Sequence, residues 1–461
     1  MTRTITALCL SVLLAGGAAA QAPASIRVDF VEETLPNGLR VVYHEDHTAP
    51  VAALVLWYDV ASKHEAPGRT GFAHLFEHLM LFTGSRNVPE QQAWALMEAA
   101  GARAGADLNG TTSADRTNYF QQVPSHALER AFWIEADRMA TLDDALNQAK
   151  LDNQREVVKN ERRQGVDNQP YGLAQQKMLA YTFPAGHPYH HPVLGSMEDL
   201  TNASLEDVRN FFRTYYVPNN AVLAVTGDFD LDEAKALVRR YFGPIPRGAD
   251  PPPLRDATLP PLTGSAQREV IQDANAPGPA VYVGYRVPSA RDARAPAVAL
   301  LGGLLASGRS SPLYRVMVRE KQLATNVFAF NFGFLEGADL FMVGAIGRPG
   351  VDPDTLEQAL MKELADPVKL IDATGLERVQ AGVRYGLVNQ LQSMGGFGGR
   401  GDVLAQGRLF YGNAGWINER MAQLTSVTLD ELQALAGERL VENNRTTLVF
   451  VPATAAPEGT R

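Results

Sequence analysis

The sequence predicts an α+β protein built from two homologous α/β layer domains, an internally duplicated chain rather than one continuous core. Three observations predict it. Strand-like runs such as NGLRVVYHED (37–46) and VAALVLWYDVAS (51–62) are followed by blocks of long helical segments. A proline-rich stretch, GPIPRGADPPPLRDATLPPLTG (243–264), divides the chain near its middle. A single offset of 224 residues aligns LTNASLEDVRNFFRTYYVPNNAVLAV (200–225) with LTSVTLDELQALAGERLVENNRTTLV (424–449), and LMLFTGS (79–85) with GLLASGR (303–309).

The N-terminus comes first. Arg3, the apolar run Ile5–Leu14 and the small residues Gly16–Ala20 form a positive start, a short apolar core and a cleavage region. That order predicts a signal peptide over residues 1–20, cut after Ala20, and hence a periplasmic or secreted protein. The apolar run is too short to span a bilayer, so no stable membrane anchor is expected. The one cysteine, Cys9, lies within this leader, so the mature chain carries no disulfide. Within the 461 residues, a net charge of −9 and the absence of a Lys/Arg-rich run exclude nucleic acid as a partner.

Residues 21–243 are the first domain. Its strands at 37–46 and 51–62 are bounded by a turn signal at Pro36-Asn37-Gly38. PEQQAWALMEAAG (89–101) reads as a helix ending at glycine. Residues 125–140 and 144–164 read as long helices, and NAVLAVTGDF (220–229) as a returning strand. Residues 244–263 are the linker and 264–455 the second domain.

The chemistry lies in GFAHLFEHLMLF (71–82). On an α-helix, His74, Glu77 and His78 fall within about a 100° arc. Imidazoles at i and i+4 can chelate one ion, and the glutamate reaches the same space. H-x-x-E-H is the inverted form of the zinc-peptidase helix. Catalytic zinc generally takes three protein ligands, so another element must supply a His, Asp or Glu. NQREVVKNERRQ (153–164) offers one. Gln154 and Glu161 are seven apart and share a helix face, while Glu156 points elsewhere.

These residues carry a family resemblance. LPNGLRVV, GRTGFAHLFEHLMLFTGS, LNGTTSADRTNYF, REVVKNERRQ and GHPYHHPVLGSMEDL, with GRSSPLYRVMVREKQLA in the second half, resemble the M16 metallopeptidases, the pitrilysin and mitochondrial-processing-peptidase family, in its short two-domain bacterial form. The resemblance implies two α+β domains facing one another as a clamshell. It implies one Zn2+ per chain, held by His74, His78 and Glu161, with Glu77 as general base. It also implies that strand 107–120, with Asn109 and Thr112, pairs with an extended peptide or unfolded-protein substrate. Three departures stand out, the first being the 83 residues from His78 to Glu161, somewhat more than is usual in the family. Gln154 occupies a position where the family often has glutamate, leaving it a supporting role beside a ligand. Gly110 stands where the family often has alanine.

The function that follows is an exported zinc endopeptidase or oligopeptidase. The alternative is a non-catalytic M16-like core subunit of a larger assembly, a role in which H-x-x-E-H is typically degraded. Under the 224 offset the second half carries Val298, Leu301, Gly302 and Tyr385 at the four site positions, so it holds no comparable centre. A closed chamber is expected to need a second polypeptide, as a homodimer or as a heterodimer with a homologous M16 chain. The glycine-dense SMGGFGGRG (393–401) resembles a substrate-touching loop of some non-catalytic subunits. His187, His190 and His191 read as a rigid proline-bounded loop.

Overall fold

The computed structural model describes residues 27–262 and 266–453. The expected leader, with Cys9, lies outside them. The first half folds its strands β1 (Val31–Thr34), β2 (Arg40–Glu45), β3 (Val51–Tyr58), β4 (Leu108–Thr112), β5 (Thr117–Pro124) and β6 (Ala221–Gly227) into one sheet, ordered β1-β2-β6-β3-β5-β4. The second half forms β7 (Gln267–Asp273), β8 (Ala280–Val287), β9 (Ala324–Asn331), β10 (Asp339–Gly347) and β11 (Arg445–Pro452), ordered β7-β11-β8-β10-β9. Apart from β1 the two orders coincide, and in each the last strand pairs in parallel with the half's opening strand of the shared pattern.

The repeated Asn-Asn pair has a physical basis. Asn220 donates through Nδ2 to Tyr215 O at 2.9 Å and Asp59 O at 3.0 Å. Asn444 donates likewise to Arg439 O at 2.7 Å and Arg286 O at 2.8 Å. Each amide ties the end of a helix to the strand beside it. The preceding helices, Leu205–Tyr215 and Leu429–Arg439, both start with capping boxes, Ser204 with Asp207 and Thr428 with Glu431.

Side chains alternate across a strand, so each sheet must cover two faces. On one face of the first sheet, Val41, Tyr43, Leu54, Leu56, Leu223 and Val225 pack with the half's own helices. These include α1 (Phe72–Phe82), α2 (Gln92–Glu98), α3 (Leu128–Ala145) and α4 (Gln148–Arg162). The opposite face, with Val42, Val55, Trp57, Phe120 and Val222, is covered by Val403, Leu404, Ala405 and Ile417. Those residues belong to the second half, on helices Arg400–Tyr411 and Trp416–Thr425.

The exchange is reciprocal. Helix Ala174–Thr182 and the segment after it place Met178, Leu179, Phe183 and Tyr189 on Ala280, Leu340, Met342, Leu448 and Phe450 of the second sheet. At the 224 offset, helix 174–182 corresponds to 398–406, largely within helix Arg400–Tyr411. Each half lends the other the same helix. The proline-rich stretch runs without helix or strand, but it does not separate two self-contained cores.

Polar bonds follow the same route. Trp57 Nε1 donates to Asp402 Oδ1 at 2.7 Å and Thr226 Oγ1 donates to Met394 O at 2.8 Å. Arg400 pairs with Asp46. No helix among the described residues is long and apolar enough to cross a membrane.

Candidate metal centre

The centre is built on α1. Its N-cap, Gly71, has φ +89°, and a Cβ there would stand 2.9 Å from Leu194 O, so both conformation and space call for glycine. Glycine brings no side-chain cap. Glu65 supplies it from a distance: Oε2 accepts from Gly71 N at 2.9 Å and Oε1 from Ala73 N at 2.7 Å. The Glu65 side chain is wholly buried, and that burial pushes its carboxyl well above the ordinary carboxylate range. Asp199 Oδ2 accepts from both Thr70 N and Thr70 Oγ1, fixing the approach to the helix.

One turn further, the histidines and Glu161 converge. His74 Nε2 lies 3.7 Å, and His78 Nε2 3.3 Å, from Glu161 Oε2 near the end of α4. The donor atoms of all three lie within 4.8 Å of one another, the one such group among the described residues. Zinc ligands at about 2.0–2.2 Å in tetrahedral array stand roughly 3.3 Å apart, so the donor set suits that ion. Glu161 is 44% exposed and forms the open side, whereas His78 is buried.

The titration pattern follows from this geometry. Burial, with His78 beside it, lowers His74 to about 4, so it is the neutral, ligating form at pH 7. Burial opposes the charge on His78 too, but the Glu161 carboxylate outweighs it and raises the pKa. Glu161 is lowered in turn; its own burial acts upward, and the hydrogen bond and charge of His78 prevail.

Glu77 faces the same space. Burial raises its carboxyl above the ordinary range, and Oε2 accepts from Thr112 Oγ1 at 2.7 Å. A Cβ on Gly110 would stand 3.2 Å from Glu77 Cγ, so glycine there leaves the glutamate room. Gln154 is buried and favours the charged form of His78. Yet Gln154 Oε1 and His78 Nδ1 both lack a partner of good hydrogen-bond geometry, as does His74 Nδ1.

The other expected residues divide. Thr112 bonds Glu77 rather than presenting a free hydroxyl. Asn109 is turned to its own loop, donating to Gly105 O at 3.1 Å and accepting from Gly110 N at 2.9 Å. β4, which carries both, is the edge strand of its sheet. His187 meets Ala257 O at 3.1 Å and His190 meets Phe183 O at 2.8 Å, both as loop braces.

The glycine-dense segment is tied to the back of the first sheet: Gly395 N donates to Gln122 Oε1 at 3.1 Å, Gly398 N to Asp402 Oδ2 at 2.9 Å, and Phe397 meets Phe120 edge-on at 4.8 Å. In the second half, Val298 and Leu301 are core residues, and a Cβ on Gly302 would stand 2.5 Å from Ala329 O. The N-caps Asn147 and Asp372 are 225 apart, so Gly386, rather than Tyr385, falls opposite Glu161.

Sequence reasoning missed Glu65 and Asp402. A helix opening on glycine with no Ser, Thr, Asp or Asn signals a borrowed cap, but does not say which residue lends it.

His74 and His78, four residues apart with Glu77 between them, form the inverted zincin pattern H-x-x-E-H, and Glu161 of a neighbouring helix stands beside the two imidazoles. Comparison with known proteins gives the family. Residues 40–196 match the sequence model described as insulinase (peptidase family M16), and 202–383 match the peptidase M16 inactive domain. The chain belongs to peptidase family M16. It is 28% identical over 428 residues to the zinc protease PqqE of Helicobacter pylori, spanning 91% of this chain and 92% of that one. The crystal structure of a protease from Helicobacter pylori superposes with a TM-score of 0.83 at 25% identity, covering 93% of this chain and all of the other. The periplasmic protease PqqL of Escherichia coli shares the fold at 20% identity. Its first half gives a TM-score of 0.69 with 93% of each chain covered, whereas the match to the longer chain covers only 48% of it.

Proposed function

We propose that this chain is an exported zinc-dependent endopeptidase or oligopeptidase. The observation that carries the reading is the convergence of His74 and His78 Nε2 on Glu161 Oε2, with Glu77 buried alongside and held by Thr112. His74, His78 and Glu161 hold the ion, one per chain, and Gln154 supports His78. Bound zinc supplies a Lewis acid for a scissile carbonyl and acidifies water. Glu77, its pKa raised by burial towards the working range of a general base, takes the proton of the attacking water and returns it to the leaving amine. Thr112 keeps the carboxylate aimed during both transfers. The free edge of β4 pairs with the main chain of an extended peptide.

Export rests on the leader at residues 1–20 and on the likeness to a protease described as periplasmic. The chain matches about half of the longer PqqL, so a second copy or a homologous chain closes the chamber over the exposed side of Glu161. The non-catalytic alternative predicts a degraded site, and here all four groups are intact.

The test is Glu77→Gln. It removes the proton carrier and no ligand, so zinc content by mass spectrometry stays at one per chain. Cleavage of a quenched peptide falls about 10²–10⁴-fold. A variant that cleaves at the wild-type rate sinks the assignment.

A further inference from the structure

Glu161 is the last residue but one of α4, and that helix end is anchored differently from α1. His74 and His78 sit on a helix whose start is fixed by Glu65 and Asp199, both of the first half. The end of α4 is fixed from the second half. Past Arg162 the helix widens into a π turn, Arg163–Asp167, and the chain folds back on it. Asn168 N donates to Arg163 O at 2.8 Å, and Gln169 Nε2 donates to Gln164 O at 2.7 Å. Gly172 lies so close that a Cβ there would stand 1.9 Å from Val166 O. The turn between β7 and β8 closes on this segment: Asn275 Nδ2 donates to Asp167 O at 3.2 Å.

Tyr171 is the fixed point of the segment. Its φ is +61°, a left-handed backbone that a bulky L side chain adopts only at a cost. Glycine takes that conformation freely. The second half shows the alternative: Gly396, as far past its N-cap Asp372 as Tyr171 is past Asn147, has φ +77°. Tyr171 N donates to Asp273 Oδ2 at 2.6 Å. The side chain then adds what glycine cannot. Its hydroxyl donates to Gly278 O at 2.9 Å, and its ring meets Phe450 edge-on at 5.8 Å and lies 6.3 Å from Tyr282. All these partners belong to the second half. Strained residues persist where surrounding contacts over-determine them, and they cluster at functional sites and clamps. Arg162, next to Glu161, repeats the tie. Its Nη2 donates to Gln176 Oε1 at 2.8 Å, on the helix that packs against the second sheet.

We infer that Tyr171, held by Asp273, is a positioning residue for the third metal ligand: the second half, which contributes no ligand of its own, fixes the end of α4 and with it the Glu161 carboxylate opposite the two imidazoles. Helix ends fray unless they are held, whereas ligand distances tolerate a spread of only about 0.2 Å. The inference rests on Glu161 as a ligand, and it is testable without turnover.

Zinc affinity is measured on the full chain by competition with a chromogenic chelator, for Tyr171→Gly and Asp273→Ala, each alone and combined with Glu161→Gln. Tyr171→Gly relieves the backbone strain and removes only the side chain's hold; Asp273→Ala removes the acceptor on the second half. Each should weaken zinc by about tenfold, the size seen when a group that orients a ligand is lost. On the Glu161→Gln background the same substitutions should change affinity by less than about twofold, because the carboxylate they aim is gone. General destabilisation would instead weaken zinc equally on both backgrounds. Tyr171→Phe loses only the bond to Gly278 O and should show a smaller loss in the same direction, which keeps the test available if Tyr171→Gly does not fold. Wild-type affinity in the substituted chains, or an equal loss with and without the Glu161 carboxylate, overturns the positioning role while leaving the metal centre in place. A wild type that binds no zinc, or an undiminished affinity in Glu161→Gln alone, overturns the metal reading and the inference with it.

Discussion

Glu65→Ala tests whether the metal helix depends on its borrowed cap. The substitution removes the acceptor for Gly71 N and Ala73 N, both buried at the start of α1. A buried donor left without a partner costs about 1–3 kcal/mol, so two cost about 2–6. Part of that returns, because the lost carboxylate was itself held in an environment that disfavours its charge. A net loss of about 2–4 kcal/mol remains. His74 is the third residue of the helix, so fraying of this turn displaces an imidazole of the proposed centre directly. At about 1.4 kcal/mol per decade, weakening of zinc by at least tenfold is expected. Glu65→Gln retains one carbonyl acceptor and should fall between wild type and alanine. Urea unfolding of the zinc-free protein gives the first quantity, and competition with a chromogenic chelator the second. If Glu65→Ala unfolds at the wild-type midpoint and holds zinc with wild-type affinity, the cap has no such role.

Gln154→Glu places a carboxylate beside His78 and should tighten zinc by about 10–100-fold, read by the same competition; loss of zinc would mean that Gln154 does not support the ligand. Asp46 gives a pH prediction. Burial opposes its charge, but bonds from Thr48 and Arg400 prevail and hold it at about 2, well below the ordinary carboxylate range. The folded chain therefore binds this proton less readily than the unfolded one. The stabilisation, about 1–2 kcal/mol after discounting for solvent, is present above pH 4 and lost between about pH 4 and 2. Asp46→Asn should flatten that limb of the urea midpoint against pH, and an unchanged acid limb would refute it.

What the sequence shows and what it hides divide by range. His74, Glu77 and His78 are legible because helix geometry makes their convergence a local property. Glu161 is legible because α4 carries Gln154 and Glu161 seven apart on one chemically suitable face. The duplicated pattern is legible because Asn220 and Asn444 perform the same bonds in both halves. Glu65 is not, since a carboxylate seven residues before a helix looks like any surface glutamate until the chain turns back. Asp402 is farther still, acting on Trp57 across 345 residues. The stack of Tyr189 on Phe334 is also invisible, because the two rings meet only after the halves assemble. The offset itself is one residue longer between the caps of α3 and α4 and those of their counterparts, Ala127 with Asp352 and Asn147 with Asp372.

The reciprocal helix leads to a last prediction. A linear reading places a domain on each side of residues 244–263, and a cut there should release two folded units. The packing says otherwise. Without helix Arg400–Tyr411 the first sheet exposes Val42, Val55, Trp57, Phe120 and Val222, all at most 2% exposed in the intact chain. At about 1.5–3 kcal/mol for each large apolar side chain, the loss is on the order of 10 kcal/mol, comparable to the whole stability of a domain. The second sheet loses Met178, Leu179 and Phe183 in the same way. Residues 21–250 and 251–455, expressed separately, should therefore aggregate through these bare faces. Expressed together they should associate one to one, since each carries the helix the other lacks, and the complex should bind zinc. Helix deletion separates this from simple stickiness: removing residues 174–182 from the first fragment should abolish recovery although the metal ligands remain on it. Two soluble, cooperatively unfolding monomers on separate expression would show that the exchanged helices are dispensable, and that the linker divides the fold after all.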